Sequence, residues 1–401
     1  MLSVREIAVA VDGVLSPDTD AVPQRIVHDS RDVKPGDLFI ALRGTRTDGH
    51  RFLPDAFARG ACAAVVSASE EPSHVAGPRI LVSDPLDALQ QLARVWRRCL
   101  TETTVIAVTG SNGKTTTRSL LAHILRATSA VHEPPANYNT EIGLPLALLR
   151  TPASCPVAVF ELGTRAPGEI RLLTSILRPT VGILTSVEPS HIAGLGSLEG
   201  IAEEKWDLAR GLPDDGLLFI NGQSDALGAL AARERPNAVS VGLGGGAVRG
   251  HVQEAVPRLI LHVDDPRLCL RTKLIGAHNA INVLLAVACA TRLDVPRDAI
   301  ERQAESFEPV AHRLTAHPAP FGIVLDDTYN ANPASMQAAL RVLAAYGNRS
   351  ARRLFVFGDM LDLGHTSDRH HRQILELALD LGIDSILPAG EHAAAACSQA
   401  A

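Results

Sequence analysis

A three-part α/β architecture is what this sequence predicts, and three observations predict it. Apolar runs of strand length alternate with helical stretches through the middle of the chain, the pattern of a mostly parallel sheet covered on both faces. One of those runs, VIAVT (105–109), passes through a glycine-containing turn straight into a helical segment. The chain has 401 residues, 46% of them hydrophobic, enough for two or three domains with cores of their own.

The first unit spans residues 1 to about 100. GDLFIAL (36–42) and ACAAVVSAS (61–69) read as strands, with HRFLPDAFARG between them as a short helix ending at Gly60. LDALQQLARVWRRCL carries apolar residues at helical spacing and leads into the second unit, residues 101 to about 308. Its strands are VIAVT, VAVFELG (157–163), VGILTSV (181–187) and LLFING (217–222). LGGGAVRG (243–250) is glycine-rich but opens no helix, and reads as a hairpin or loop, not a phosphate site. The third unit, 309–401, continues the α/β pattern. GIVLDD, RLFVFG and SILPAG read as strands, and PASMQAALRVLAAY and DRHHRQILELALDLG as helices. It stops soon after the last strand, which predicts a shortened sheet.

Composition narrows the class. Aromatics are only 3%, so the cores must be built from Ala, Val, Leu and Ile. A net charge of −6 without a basic stripe argues against nucleic acid as a partner. No apolar run approaches the roughly 18 residues of a membrane span. MLSVREIAVAVDGV lacks the basic-then-apolar order of a secretory signal. Cys62, Cys99, Cys155, Cys269, Cys289 and Cys397 are scattered without a CxxC pair, and read as small core residues of a reducing cytoplasm.

Lysine usage singles out two positions. Of 38 basic residues only Lys34, Lys114, Lys205 and Lys273 are lysine. A chain that writes arginine almost everywhere keeps lysine by chance or where an amine is required. Lys114 lies in TGSNGKTT (109–116), between the strand and the helix TTTRSLLAHILRAT. Turn N–H groups and a helix N-terminus suit phosphate oxygens. Gly110, Asn112, Gly113, Lys114, Thr115 and Thr116 form that cradle. Lys114 supplies a point charge near the β- and γ-phosphates, and the Thr115 hydroxyl is the expected Mg²⁺ ligand. The general motif has another glycine five residues before Gly113. That position is Val108 here, so this is the shorter G-x-x-G-K-T form. A turn with an incidental lysine is the plain alternative, but it leaves strand, turn and helix unexplained together.

The other candidates are weaker singly. Glu161 closes VAVFELG, and a carboxylate at the C-terminal end of a parallel strand faces the crevice where α/β sheets bind ligands. Alone it could equally cap a helix. His191 follows VGILTSV at the same expected edge, although a lone histidine is usually structural. Lys205 lies on a helix, where a lysine is normally a solvated charge. Its rarity and its neighbours Glu203, Glu204 and Trp206 raise it. Asn279 and Asn282 open the apolar helix of GAHNAINVLLAVACA three residues apart, on one face. They either cap it or hydrogen-bond a base edge. Asp327, Tyr329, Asn330 and Asn332 in LDDTYNANP sit at the mouth of the third unit, or form an Asx-rich turn with Pro333 starting a helix.

Taken together these residues resemble the Mur ligase family, the ATP-dependent amide ligases of peptidoglycan synthesis. The resemblance covers about residues 25 to 395, through TGSNGKTT, ELG at Glu161, the His191 segment, EEKW at Lys205, GAHNAIN, and HRL at Arg313. HDSRDVKPGDLFIALRGTRTDGHRF, and DDTYNANPASM with GDMLDLG, resemble the type that joins D-alanyl-D-alanine to UDP-N-acetylmuramoyl-tripeptide. The resemblance implies a UDP-substrate domain (1–100), a central P-loop-type ATPase (101–308) and a shortened Rossmann-like C-terminal domain (309–401). It implies that Ser30 and Arg31 contact the uridine nucleotide and that Tyr329, Asn330 and Asn332 bind substrate. Lys114 and Thr115 would hold ATP and a first Mg²⁺ with Glu161. His191 and Lys205 would hold a second Mg²⁺, Lys205 as a carbamate formed with CO₂. Asn279 and Asn282 would touch adenine, Asp327 the ribose and Arg313 the γ-phosphate. A plain ammonium at Lys205 would repel Mg²⁺, whereas a carbamate supplies the oxygen ligands Mg²⁺ prefers. Small-molecule substrates, a cytoplasmic location and a monomer follow as expectations.

Three features depart from the family pattern. A Lys-Gly-Ser-type segment near the last strand is not found, His312 stands where Gly usually precedes the arginine, and Ser186 where Asn is common. Two competing readings follow: a related ligase of a different carboxylate and amine, and a degenerate, non-catalytic nucleotide-binding protein.

Overall fold

The structure, a computed structural model, describes residues 2–44, 47–70, 76–135, 137–190, 192–347 and 350–400. Two compact units emerge from its contacts. One comprises residues 1–103, 134–156 and 172–178, the other residues 104–133, 157–171 and 179–401.

In the first unit, β1 (Val14–Ser16), β2 (Ile26–Val27), β3 (Leu38–Ile40), β4 (Ala63–Ser67) and β5 (Arg79–Val82) form one sheet in the order β1-β5-β4-β3-β2. Only the β1–β5 pair is antiparallel. The expected strands are β3 and β4. β1, β2 and β5 are not read from the sequence. The expected helix is a 3₁₀ turn, Gly49–Phe52, continued by Leu53–Ala58. The helix Pro85–Cys99 starts on Asp84, whose side chain accepts the Leu86 N–H at 2.8 Å.

The second unit is built on nine strands. These are β6 (Thr104–Thr109), β7 (Val131–His132), β8 (Val157–Glu161), β9 (Val181–Leu184), β10 (Leu217–Asn221), β11 (Val239–Leu243), β12 (Val248–Glu254), β13 (Ile260–Val263) and β14 (Leu268–Arg271). Their order is β14-β13-β12-β11-β10-β9-β6-β8-β7. Only the pairs involving β13 are antiparallel. From β6 the chain places β8 on one side and β9 on the other, so β6 is the switch point where the C-terminal strand ends open a crevice.

Alternation along β9 and β10 shows why both faces are covered. Val181, Ile183 and Phe219 join the core under the helices Lys114–Leu125 and Asn279–Arg292. Leu184, Leu218 and Ile220 point the other way, against Trp206 and Ala202 of Leu198–Arg210 and Leu227 of Asp225–Glu234. Asn279–Arg292 is apolar nearly all round because it is buried nearly all round.

In the glycine-rich stretch 243–250 only residues 244–247 are a loop, joining the end of β11 to the start of β12, and the hairpin reading is overturned. β11 and β12 run parallel, with Val241 opposite Val248. The chain must return about 7 Å along the strand and cross about 5 Å sideways. Residues 244–247 manage this with Gly244 and Gly246 at φ 75° and 96°, conformations other residues rarely adopt.

The C-terminal segment contains an antiparallel hairpin, β15 (Thr315–Ala319) with β16 (Gly322–Asp326), and a parallel pair, β17 (Leu354–Gly358) with β18 (Ser385–Ala389). Met336, Leu340, Phe357, Ile374 and Leu375 form its core, from β17 and the helices Pro333–Ala345 and Ser367–Asp380. Among the described residues no helix is long and apolar enough to cross a membrane.

One buried carboxylate fastens the helix Leu198–Arg210 to the chain before it. Glu204 accepts the N–H groups of Gly168 at 2.6 Å and Ile170 at 2.7 Å, and the Thr164 hydroxyl at 3.2 Å. Glu204→Ala should therefore lower stability by about 2 kcal/mol, by stranding two amides. Glu204→Gln should cost less, both measured by urea denaturation.

Candidate active site

The site grows from the end of β6. Gly110 follows the strand at φ 154°, and a Cβ there would lie 1.9 Å from Thr185 Oγ1. Gly113 sits at φ 82° immediately before the helix, and its Cβ would lie 2.1 Å from Asn282 Oδ1. Glycine is thus required at both ends of the loop, by backbone conformation and by space. Between them the loop is pinned to the chain after β9. Ser111 N donates to Ser186 O at 2.8 Å, and Asn112 N to Ser186 Oγ at 2.9 Å. Thr185 Oγ1 donates to Asn112 O at 2.5 Å. Ser111 Oγ accepts the Glu188 N–H at 3.0 Å and donates to Glu188 O at 2.9 Å. Ser186, flagged as a departure, is therefore a working part of the loop. Glu188 carried no sequence signal.

Lys114 Nζ folds back onto the loop, donating to Gly110 O at 2.9 Å and Ser111 O at 3.2 Å. Burial pushes its pKa down, the Glu161 carboxylate opposes that, and the Arg313 guanidinium adds to it. Thr115 Oγ1 donates to Glu161 Oε2 at 2.7 Å, with both side chains buried. A hydroxyl and a carboxylate side by side form the hard-oxygen donor set that suits Mg²⁺. Thr116 is buried beside them.

Lys205 is the most unusual group. It is 2% exposed, and its Nζ has no hydrogen-bond partner among the described residues. Burial first, then the Lys114 charge, lower its pKa to about 7, while Glu204 opposes the shift. Its sequence neighbours point elsewhere. Glu203 pairs with Arg210 and Arg233, Glu204 anchors residues 168–170, and Trp206 Nε1 donates to Glu234. The two remaining lysines are exposed, Lys273 in an ion pair with Glu308. His191 lies outside the described residues.

Asn282 and Asn279 are buried in a local network. Thr117 Oγ1 donates to Asn282 Oδ1 at 3.4 Å, Asn282 Nδ2 to Asn279 Oδ1 at 3.0 Å, and Asn279 Nδ2 to Ile275 O at 2.8 Å. Neither asparagine caps the helix, which starts at Asn279 without a side-chain cap bond; Asn282, one turn in, lies against the loop glycine Gly113.

The C-terminal segment contributes Arg313, Asp327 and Tyr329. The Arg313 guanidinium lies 3.9 Å from the Tyr329 ring centroid. Burial lowers its pKa, and Glu161 opposes that. Asp327 Oδ1 accepts the Leu314 N–H at 3.0 Å, and burial raises its pKa to about 6 against the Arg313 charge. Asn330 is exposed. Asn332 is buried at the start of Pro333–Ala345, where its Oδ1 accepts the Ser335 N–H at 3.0 Å. His312 explains the glycine usual at its position: it sits at φ 62°, a left-handed conformation. Its Nδ1 bonds Asp326 Oδ2 at 2.7 Å.

Ser30 and Arg31 belong to the first unit, on a 3₁₀ turn opened by Asp29. Ser30 is buried, and Arg31 extends outward, held by Asp29 through Nε–Oδ1 at 2.9 Å and Nη2–Oδ2 at 2.6 Å. These contacts hold Asp29 near pKa 2. Among the described residues one trio has metal-ligand spacing, Asp48, His50 and Glu70, also in this unit. Both His50 nitrogens are already used: Nδ1 faces Asp48 at 2.7 Å and Nε2 accepts the Ser67 N–H at 2.9 Å.

Three family models match in succession: a Mur ligase family catalytic domain over residues 24–97, a Mur ligase middle domain over 108–290, and a Mur ligase glutamate ligase domain over 312–401. The UDP-N-acetylmuramoyl-tripeptide–D-alanyl-D-alanine ligase of Bacillus subtilis is 33% identical over 92% of this chain and 81% of its own. That of Escherichia coli is 34% identical over 93% and 82%. MurF from Acinetobacter baumannii superposes with a TM-score of 0.91 at 30% identity, over 99% of this chain and 87% of that one. MurF ligase from Thermotoga maritima, in complex with ADP, gives 0.80 at 25% identity over 93% and 90%.

Two outcomes follow from this geometry. Lys205 is charged in the unfolded chain up to about pH 10, but in the folded chain only below about 7. Its burial thus costs stability fully below pH 7, and the cost fades towards pH 10. In CO₂-free buffer Lys205→Met should stabilise the chain by on the order of 3 kcal/mol at pH 7, with the gain vanishing above about pH 10. A pH-independent gain would contradict the shift. At His312, removing both the side-chain bond and the freedom glycine would bring should be worse than removing the bond alone. Thermal unfolding should place His312→Ala about 1 kcal/mol below His312→Gly.

Proposed function

The chain belongs to the Mur ligase family, and from that premise we propose that it joins D-alanyl-D-alanine to UDP-N-acetylmuramoyl-tripeptide in peptidoglycan precursor synthesis, forming ADP and phosphate. One observation carries the reading. A single compact unit assembles a phosphate loop and an oxygen pair with an arginine and an aspartate from the C-terminal segment. That assembly suits an ATP reaction in which one segment closes on a nucleotide held by another.

The chemistry follows from the substrates. A carboxylate is a poor electrophile. Attack of its oxygen on the γ-phosphorus, with ADP leaving, makes an acyl phosphate. The D-alanyl-D-alanine amine then adds to the acyl carbon, loses its proton, and expels phosphate as the amide forms. Two anions meet in the first step, so cations must spread the charge. Lys114 and the N–H groups at the helix start, Gly113 to Thr116, hold the β- and γ-phosphates, those of Ser111 and Asn112 being spent on Ser186, and Arg313 approaches the γ-phosphoryl group. Thr115 and Glu161 would hold one Mg²⁺; His191 and the Lys205 carbamate would hold a second. Bound there, Mg²⁺ supplies charge neutralisation at the phosphate oxygens. Asn279 and Asn282 face the adenine, Asp327 the ribose, Ser30 and Arg31 the uridine end, and Tyr329 and Asn330 the amine substrate; Asn332, expected to bind it too, has its amide engaged by Asn112 and Ser335 instead. The enzyme works in the cytoplasm, where these precursors are made, as a monomer closing on one site.

We assign Lys205 as a carbamate. A neutral amine is the form that attacks CO₂, its lone pair bonding to carbon as one C=O π pair moves onto oxygen, and its proton leaving to solvent. A pKa near 7 makes that form available. The product is an anion, which Lys114 attracts where an ammonium would be repelled.

Phosphate release with Mg²⁺-ATP, UDP-muramoyl-tripeptide and D-alanyl-D-alanine, each omitted in turn, tests the reaction. Release should need all three, with a pentapeptide product by mass. Release without the dipeptide, or with another amine in its place, would overturn the substrate assignment. Lys205→Ala should abolish amide formation while ADP affinity persists, and unchanged turnover would remove the carbamate.

A further inference from the structure

Asn112 and Asn332 are 220 residues apart and face each other through both halves of their amides. Asn112 Nδ2 donates to Asn332 Oδ1 at 3.2 Å, and Asn332 Nδ2 donates to Asn112 Oδ1 at 2.6 Å. Neighbouring groups fix both orientations. The Ser335 N–H can only donate, so the Asn332 atom it meets at 3.0 Å is oxygen. The Glu188 carboxylate can only accept, so the Asn112 atom beside it is nitrogen. Neither amide can flip without stranding a partner.

The pair is not explained by local needs. Main-chain bonds to Ser186 and Thr185 already hold the loop at Asn112. Capping Pro333–Ala345 uses only Asn332 Oδ1, and a serine would do it as well. What the Nδ2 group of Asn332 adds is a tie from the C-terminal segment to the middle of the phosphate loop. Asp327 and Tyr329 lie just upstream on the same segment, and Tyr329 carries Arg313 on its ring.

We propose that the Asn112–Asn332 amide pair is a positioning latch, which registers the C-terminal segment on the phosphate loop and thereby sets Arg313 and Asp327 relative to a nucleotide held there. Both are positioning residues in this role, acting through Arg313 and Asp327. The kinetic consequence rests on the ligase reading above; the latch itself does not.

Two variants and their combination test it in the full chain. Asn332→Ser keeps an N-cap but cannot reach the loop, and Asn112→Ala keeps the loop's main-chain bonds. Each should lower kcat about tenfold, the scale of two lost neutral hydrogen bonds, with KM for ATP and ADP affinity unchanged. The double variant should fall no further than either single. Losses that multiply in the double variant overturn the proposal. So does a dipeptide KM that rises in Asn332→Ser alone, which would make Asn332 a direct substrate contact. A second measurement needs no ligation: energy transfer between labels at exposed Asp225 and Glu376 in the nucleotide-free chain. Wild type should show one distance, and each variant a broadened distribution. Indistinguishable distributions overturn the latch whatever the chain catalyses. A wild-type chain that holds one distance but makes no pentapeptide removes the ligase reading and leaves the latch standing.

Discussion

The close approach of the phosphate loop to its surroundings is the constraint on which the site depends. Thr185 Oγ1 occupies the space a side chain at Gly110 would need, and Asn282 Oδ1 the space at Gly113. The loop is gripped between the chain leaving β9 and the helix opening at Asn279. Its carbonyls are spent within the fold, Asn112 O on Thr185 and the Gly110 and Ser111 oxygens on Lys114, and so are the N–H groups of Ser111 and Asn112, on Ser186. This requires β6 at the switch point, with β9 on one side and the helix Asn279–Arg292 packed on Lys114–Leu125.

A second constraint is electrostatic. Lys114, Lys205 and Arg313 are brought towards one place, and all three have their pKa values pushed down by burial. Their mutual repulsion is a liability in the empty chain and an asset once several phosphate charges arrive. Glu161 and Asp327 offset part of it meanwhile, Asp327 at the cost of its own raised pKa. The site stores its attraction for anions as an unfavourable arrangement held by the fold around it.

Much of this was legible in the sequence where periodicity or a local turn carried it. VIAVT running into TGSNGKTT predicts β6, the loop and the helix, because all the forces involved are local. Lys205 was legible through composition, since its scarcity separates it from a solvated helical lysine, although the neighbours that strengthened the reading serve other ends. Other features left no trace. β11 to β15 do not read as strands, most of them being broken by glycine, proline, histidine or charged residues, whereas GIVLDD does read as the strand that is β16. Ser186, Glu188 and the amide facing Asn112 act through pairings dozens to hundreds of residues apart, which no spacing rule reports. His312 read as a departure from pattern, and only its backbone angle shows what it replaces.

The scarcity of lysine has one more chemical consequence. An acyl phosphate reacts with any unprotonated amine it meets, and guanidinium groups are inert to it. Besides the buried pair at the site, the chain offers only the exposed side-chain amines of Lys34 and Lys273, the latter engaged by Glu308. An activated intermediate that escapes before the proper nucleophile arrives therefore finds almost nothing on the protein to acylate. A surface written in arginine protects such a catalyst from its own product.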